Sequence, residues 1–297
     1  MPLRYTLISQ SWVAQHPQPI GVVEFYGGEF FGLLPTTSYD FLLQSLFAAG
    51  YTIIAVPIQL GFDHYRIAYT LVEERDRVRD ALPNLTGVPH FWVGHSVGCK
   101  FIALLEAFTD PATNTLILPS TSAAATLATR RGILDEPSLL MAPSIADTEH
   151  AVRVPILPQI LDKLGLGVEP TKQQTQALIE QRDLFNLTAL ISFRDDTVAG
   201  NQSGSPEESD VAWFLEALRA GQNNILLHEE IEGDHLAPLG VQVGDSVYLF
   251  SMRTLLRREP VPRPLELLII RFLAELDQRR RQASLVPVSS YAMSSSS

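Results

Sequence analysis

The sequence has 297 residues, of which 46% are hydrophobic and 19% are charged, and it carries a net charge of −11. This composition supports a large hydrophobic core and excludes wholesale disorder. The acidic balance argues against a nucleic-acid partner, because binding to phosphates requires clusters of basic side chains.

Three further properties bear on where the protein works. A mean hydropathy of +0.10 permits a peripheral membrane contact, but no apolar run approaches the length of about 18 residues that a spanning helix requires. Cys99 is the only cysteine, so no internal disulfide can form and a reducing compartment is the simpler expectation. The N-terminal stretch MPLRYTLISQSW lacks the long apolar segment of a secretory signal. We therefore predict a cytoplasmic protein.

Short apolar runs rich in β-branched residues alternate with helical patterns along most of the chain. This alternation predicts an α/β fold with a mostly parallel central sheet and helices on both faces. The strand-like runs lie at residues 20–26, 51–57, 90–93, 115–118, 187–193 and 224–231. The helical patterns outside the central turn lie at residues 37–49, 67–82, 171–183, 205–220 and 265–281.

The alternation stops between residues 120 and 186, where no convincing strand is found. An Ala/Thr-rich helix at 122–131 and a proline-interrupted apolar stretch occupy this region. We predict a helical cap at 120–186, inserted into one discontinuous core domain of residues 1–119 and 187–281. A packing elaboration with no role at a substrate is the alternative. Residues 282–297 are predicted to be a disordered tail.

The strand at 90–93 leads into Gly94-His95-Ser96-Val97-Gly98, and an apolar helical run follows. A strand, a G-x-S-x-G turn and a helix in this order form a nucleophile elbow, which holds a serine hydroxyl above the end of a sheet. Glycines suit positions 94 and 98 because side chains there would collide with neighbouring elements. The pentapeptide alone is a weak signal, and a tight turn with an idle serine is the alternative.

An acid and a histidine follow the last two predicted sheet strands. Asp195 and Asp196 come after the strand at 187–193, and His235 comes after the strand at 224–231. Because the carboxyl ends of parallel strands meet at one edge of a sheet, these groups are expected near Ser96.

The order Ser, Asp, His resembles that of the α/β-hydrolase fold, in which a cap is commonly inserted between nucleophile and acid. The segments GHSVG, FRDDTV and EGDH carry the resemblance, which covers about residues 19–281. It implies a triad of Ser96 as nucleophile, His235 as base and Asp196 as the acid that orients the imidazole.

Some of these assignments rest on finer features of the family pattern. In related hydrolases an apolar residue follows the acid two places on, and Val198 stands in this position relative to Asp196. Phe193 replaces the usual glycine before the acid, so Asp195 stays open as the alternative. Two other histidines are weaker candidates for the base, because His228 lies inside a strand and His95 occupies an elbow position that is usually structural.

The resemblance also implies an oxyanion hole. One donor would be the N–H of Val97, and the other an N–H in the bend at Gly28 or Glu29, with Gly28 as our assignment. Many esterases carry His-Gly before this residue, whereas this chain has Tyr26-Gly27. Tyr26 is either a wall of the pocket or part of the core.

At a finer level, residues 27–58, 93–100 and 190–197 resemble an uncharacterised α/β-hydrolase family of photosynthetic organisms. That resemblance supplies no substrate. We predict a serine hydrolase of an ester or thioester, with a lipid-like acyl group as a candidate, and with no cofactor or metal. A catalytically silent binding or assembly protein is the alternative, and an acyltransferase or lyase using the same serine is a third hypothesis.

Overall fold

The computed structural model describes residues 3–117, 130–145, 168–182, 184–221, 226–249 and 257–285. The strands are β1 (Thr6–Ile8), β2 (Ser11–Ala14), β3 (Gly21–Tyr26), β4 (Tyr51–Val56), β5 (His90–His95), β6 (Thr109–Asp110), β7 (Thr115–Leu116), β8 (Ser138–Met141), β9 (Thr188–Phe193), β10 (Leu226–Ile231), β11 (Val241–Val243), β12 (Ser246–Leu249) and β13 (Arg257–Pro260). The helices are α1 (Pro35–Ser38), α2 (Asp40–Ala48), α3 (His64–Asp80), α4 (Val97–Ala107), α5 (Lys172–Arg182), α6 (Asp210–Ala220) and α7 (Pro264–Leu285).

An eight-stranded sheet in the order β1-β2-β4-β3-β5-β8-β9-β10 forms the centre of the fold. The six strands from β4 to β10 in this order are parallel, and only β1 and β2 pair antiparallel. Every residue of β3, β4 and β9 is buried, which explains their nearly continuous apolar sequences. The prediction of a mostly parallel sheet is confirmed.

The strand that follows the elbow helix in the central sheet differs from the prediction. Residues 115–116 form β7, which pairs with β6 in a separate two-stranded sheet. The central position belongs to β8, which pairs with both β5 and β9. β8 lies inside the range 120–186 predicted as a cap, so that range includes core residues. Its four residues lie between Pro137 and Pro143, and such a short run gives little periodicity to detect.

Two helix ends also differ from the prediction. Helix α6 begins at Asp210 rather than near residue 205, because Ser209 is the N-cap and its hydroxyl accepts from the Ala212 N–H at 3.1 Å. Helix α7 continues into the range predicted as a disordered tail, and ion pairs of Asp277 with Arg280 and Arg281 stabilise this end. A three-stranded sheet of β11, β12 and β13 occupies part of the segment after His235. Most of the helix predicted at 122–131 and the tail beyond residue 285 lie outside the described residues.

A largely buried cluster of charged side chains joins the middle of β3 to the start of β5 and the segment before β8. The Arg79 guanidinium donates to both carboxylate oxygens of Glu136 at 2.8 Å and to Glu24 at 2.7 Å. His90 and Trp92 complete the cluster with bonds of 2.8 Å to Glu24 and Glu136 respectively. Burial alone would raise the pKa of Glu24, but the charge of Arg79 and the bond from His90 outweigh it and lower the pKa to about 2.

This cluster predicts a large difference between two arginines on α3. Arg79→Met would leave two buried carboxylates without their shared cation, and we expect a loss of about 3–5 kcal/mol in the free energy of unfolding. Arg77 is 53% exposed and pairs with Glu73 at 3.2 Å and with Glu74 at 3.6 Å. Since Glu74 accepts three other hydrogen bonds, Arg77→Met should cost less than about 1 kcal/mol. Urea unfolding of both variants measures the difference, and equal losses would contradict the structural role given to Arg79.

Candidate active site

Ser96 lies on a sharp turn between β5 and α4. Its backbone has φ 55° and ψ −125°, a conformation that is costly for any residue with a side chain and that persists only where the surroundings enforce it. The Ser96 N–H donates to the Met141 carbonyl at 3.0 Å, and its carbonyl accepts from Cys99 at 3.0 Å and Ser144 at 3.3 Å. The end of β8 therefore holds the turn in place.

The two glycines of the pentapeptide make this turn sterically feasible. A Cβ at Gly98 would lie 2.2 Å from the Tyr26 carbonyl oxygen, and one at Gly94 would lie 3.0 Å from the Cys99 nitrogen. Both contacts are with backbone atoms, which cannot move away as the end of a side chain can. The geometry is that of a nucleophile elbow, as the sequence predicted.

Ser96, His235 and Asp196 form a continuous hydrogen-bonded row. The Ser96 Oγ lies 2.8 Å from His235 Nε2, and His235 Nδ1 lies 2.8 Å from Asp196 Oδ2. All three residues are buried, with exposed fractions of 8%, 5% and 4%. In this arrangement the imidazole can take the hydroxyl proton while the carboxylate stabilises the resulting charge.

Of the two aspartates that the sequence left open, Asp196 contacts His235. Its second oxygen, Oδ1, accepts from the N–H groups of Val198 at 2.8 Å and Ala199 at 3.0 Å. Asp195 is half-buried, and its backbone N–H donates to the Gly233 carbonyl at 2.9 Å. The main chain of Asp195 thus connects the loop after β9, which carries Asp196, to the loop after β10, which carries His235.

The N–H groups near Ser96 agree only in part with the predicted oxyanion hole. Val97 is the first residue of α4, so its N–H has no intrahelical acceptor. The Gly28 N–H, by contrast, donates to the Tyr39 hydroxyl at 2.7 Å. In this structure the assignment of Gly28 as a donor to substrate is therefore not supported. The Glu29 N–H, the other group considered in this turn, has no hydrogen-bond acceptor among the described residues.

His95 and Tyr39 are polar residues of the site whose contacts the sequence did not predict. His95 Nδ1 lies 2.8 Å from the Tyr39 hydroxyl, and its Nε2 lies 2.8 Å from the carbonyl oxygen of His235. Burial and the neighbouring His235 hold the pKa of His95 well below its usual value. The elbow motif marked His95, but no local signal marked Tyr39. Tyr26 is fully buried, with its ring against Trp92, and belongs to the core.

Among the residues that the structure describes, no group of three or more His, Cys, Asp or Glu side chains is placed to hold a metal ion. No helix in the same part of the chain combines the length and the apolar composition needed to cross a membrane. His228 lies on β10 and contacts Ser192 at 3.1 Å, so it belongs to a different part of the sheet from the Ser96 row.

The sequence matches the family described as "Protein of unknown function (DUF1350)" over residues 4–248. The chain belongs to this family. Its description names no source organisms, so the link with photosynthetic organisms stays a prediction. No curated protein matches the sequence.

Solved structures show which fold the family member adopts. The carboxylesterase Cest-2923 from Lactobacillus plantarum WCFS1 gives a TM-score of 0.52 at 13% identity, with 79% of this chain and 85% of that chain covered. A lipase in its open form gives a TM-score of 0.51 at 12% identity, with 94% of this chain and 98% of that chain covered. These similarities establish the α/β-hydrolase fold of the chain, and at such identities they carry nothing about its activity.

The contacts of Asp196 predict a specific defect for Asp196→Asn. The two backbone N–H groups require the amide oxygen, so the amide NH₂ must face His235 Nδ1. That nitrogen would then have to accept, the proton would move to Nε2, and Nε2 could no longer accept from Ser96. We expect the rate of Ser96 labelling by a fluorophosphonate to fall on the order of 10⁴-fold, as in comparable triads.

Asp195→Asn is the matched control for this prediction. It leaves the backbone bond to Gly233 intact, so the labelling rate should stay within about tenfold of the wild type, far from the loss expected for a triad acid. A larger loss from Asp195→Asn than from Asp196→Asn would show that the acid is misassigned.

Proposed function

We propose that this protein is a serine hydrolase that cleaves an ester or thioester through an acyl-enzyme. The observation that carries the proposal is the contact of 2.8 Å between Ser96 Oγ and His235 Nε2 on a strained elbow, with Asp196 on the far side of the ring. A serine hydroxyl is a weak nucleophile at neutral pH, and a base within hydrogen-bond distance is what activates it.

In the proposed reaction, His235 Nε2 takes the Ser96 proton while Oγ attacks the carbonyl carbon of the substrate. The negative charge that develops on the carbonyl oxygen is stabilised by the N–H of Val97 and, in our revised assignment, the N–H of Glu29. His235 then gives its proton to the departing alcohol or thiol, which leaves an acyl group on Ser96. Water attacks this ester with His235 again as base. His235 then returns the proton to Ser96 Oγ as the carboxylic acid is released.

Two adjoining loops support a substrate with an apolar acyl group. The Ile58 N–H donates to the Gly32 carbonyl at 2.9 Å, which joins the loop after β3 to the loop after β4. Both loops follow parallel strands at the edge of the sheet that carries Ser96, where ligands bind in open α/β sheets. Five large apolar side chains on them are exposed: Phe30, Leu33, Leu34, Leu60 and Phe62. Exposed apolar groups beside a site favour an apolar ligand.

The proposal is tested with the full chain and an activity-based probe. We expect a fluorophosphonate to label the wild type and Ser203→Ala, in which an exposed loop serine is replaced, but not Ser96→Ala. p-Nitrophenyl esters and acyl thioesters then give the turnover. A folded wild type that neither labels nor hydrolyses these substrates would favour a binding protein on the same frame, and transfer of the acyl group to an added alcohol would identify an acyltransferase.

The apolar loops predict a preference for longer acyl chains that depends on Leu60. Leu60→Ser should lower kcat/KM for an octanoate ester about fivefold, since partial burial of a leucine side chain contributes about 1 kcal/mol. The value for an acetate ester should not change, because the proposal places Leu60 against the distal carbon atoms of a longer acyl chain, which acetate lacks. Leu267→Ser is the control, since Leu267 is similarly exposed on α7. An equal effect on both esters would show that Leu60 does not contact the acyl chain.

A further inference from the structure

A chain of hydrogen bonds between buried groups links the turn after β3 to the loop that carries His235. The Gly28 N–H lies 2.7 Å from the Tyr39 hydroxyl, the hydroxyl lies 2.8 Å from His95 Nδ1, and His95 Nε2 lies 2.8 Å from the His235 carbonyl. The Tyr39 and His95 side chains are both buried. Their rings are in edge contact, with centroids 5.6 Å apart.

The direction of each bond follows from its end groups. The His235 carbonyl can only accept, so His95 Nε2 carries the proton. Because burial and the nearby His235 keep His95 neutral, its Nδ1 is an acceptor, and the Tyr39 hydroxyl must donate to it. The Tyr39 oxygen is then the acceptor for the Gly28 N–H. One arrangement of protons therefore satisfies every group in the chain.

The position of this chain of bonds relates it to the proposed reaction. The hydrogen bonds begin at the Gly28 N–H, in the turn after β3 and next to the Glu29 N–H, and they end at the backbone carbonyl of His235. His95 comes directly before Ser96 in the sequence. The approach is close, because a Cβ on Gly28 would lie 3.0 Å from both His95 Nδ1 and the Ser96 Cβ. The turn at Gly28, the Ser96 elbow and the backbone of His235 thus all adjoin the Tyr39–His95 pair.

Tyr39 is itself fixed relative to the histidine loop. It lies between α1 and α2, and Gly240, five residues after His235, bonds to the residues around it. The Gly240 N–H donates to the Ser38 carbonyl at 2.9 Å, and the Phe41 N–H donates to the Gly240 carbonyl at 3.1 Å. The tyrosine ring therefore extends from a backbone that is joined to the loop whose orientation it would control.

We infer that Tyr39 and His95 are positioning residues that set the distance between the oxyanion turn and His235. The inference rests on the proposed function, since it assigns the pair a role in that reaction. Neither side chain forms a hydrogen bond with the Ser96 hydroxyl or the His235 ring, against which the His95 ring packs with centroids 5.0 Å apart. A displacement of about 1 Å in a catalytic group can nevertheless cost on the order of 10²-fold in rate. Fixing groups from a second layer is a general way of preventing such displacement.

Three nearly isosteric variants separate the bonds of the chain. Tyr39→Phe removes only the hydroxyl. His95→Asn places an amide oxygen near Nδ1, which keeps the bond to Tyr39 and loses the one to His235. His95→Gln places an amide NH₂ near Nε2, which keeps the bond to His235 and loses the one to Tyr39. Tyr26→Phe is the control, because the Tyr26 hydroxyl is buried and has no hydrogen-bond partner among the described residues.

The experiment measures the rate constant for labelling of Ser96 by a fluorophosphonate, and kcat and KM for p-nitrophenyl acetate, across a range of pH. We expect Tyr39→Phe and both His95 variants to lower the labelling rate and kcat about 10–100-fold with little change in KM. The shape of the pH profile should stay that of the wild type, because the acid and the base are unchanged. Tyr26→Phe should match the wild type.

The double variant Tyr39→Phe/His95→Gln gives the sharpest readout. If the two residues act through their shared bond, the second substitution should add little to the first, whereas independent effects would multiply. Variants that label and turn over like the wild type, or that multiply in the double variant, would overturn the inference while leaving the proposed function intact. A folded wild type that does not label would overturn the proposed function and the inference together.

Discussion

The backbone conformation of Ser96 is the constraint on which the candidate site depends. At φ 55° the residue occupies a region that costs about 1–3 kcal/mol, and the surrounding contacts must hold it there. They do so from three sides, since β8 accepts its N–H, the first turn of α4 uses its carbonyl, and Gly98 lets the β3 backbone approach α4 closely. This backbone conformation places Ser96 Oγ just beyond the carboxyl end of β5, at hydrogen-bond distance from His235.

The partners of Ser96 are held by main-chain bonds between their two loops as well as by bonds within each loop. The Arg194 N–H donates to the Ile231 carbonyl and the Asp195 N–H to the Gly233 carbonyl, both at 2.9 Å, so the loops after β9 and β10 are joined to each other. The Asp196 carboxylate is fixed by two backbone N–H groups as well as by His235. A buried carboxylate with hydrogen bonds to both of its oxygens is fixed in direction.

The sequence predicted those parts of the fold that have a local signature. Strands buried on both faces, such as β4, give long apolar runs, and the elbow and the Gly-x-His segment each lie within a few residues. β8 was missed because its four residues carry no periodicity, although it holds Ser96 in place. The hydrogen bond of the Gly28 N–H could not be predicted from the sequence either. Its acceptor Tyr39 is 11 positions away and is placed there by the packing of α1 and α2. Contacts of this kind arise from tertiary structure alone.

The two ends of β5 differ in the kind of polar contact that they make. At its start, His90 joins a buried group of full charges in which Arg79 connects β3 to the segment before β8. At its end, His95 joins a chain of neutral groups, and burial keeps it uncharged. The neutral donors and acceptors of this hydrogen-bond chain can fix the His235 backbone without adding a further charge beside the contact between His235 and Asp196. The ion pairs of Arg79 lie at the other end of the strand, where they join β3, β5 and the segment before β8 and leave the packing around His235 to uncharged groups and Asp196.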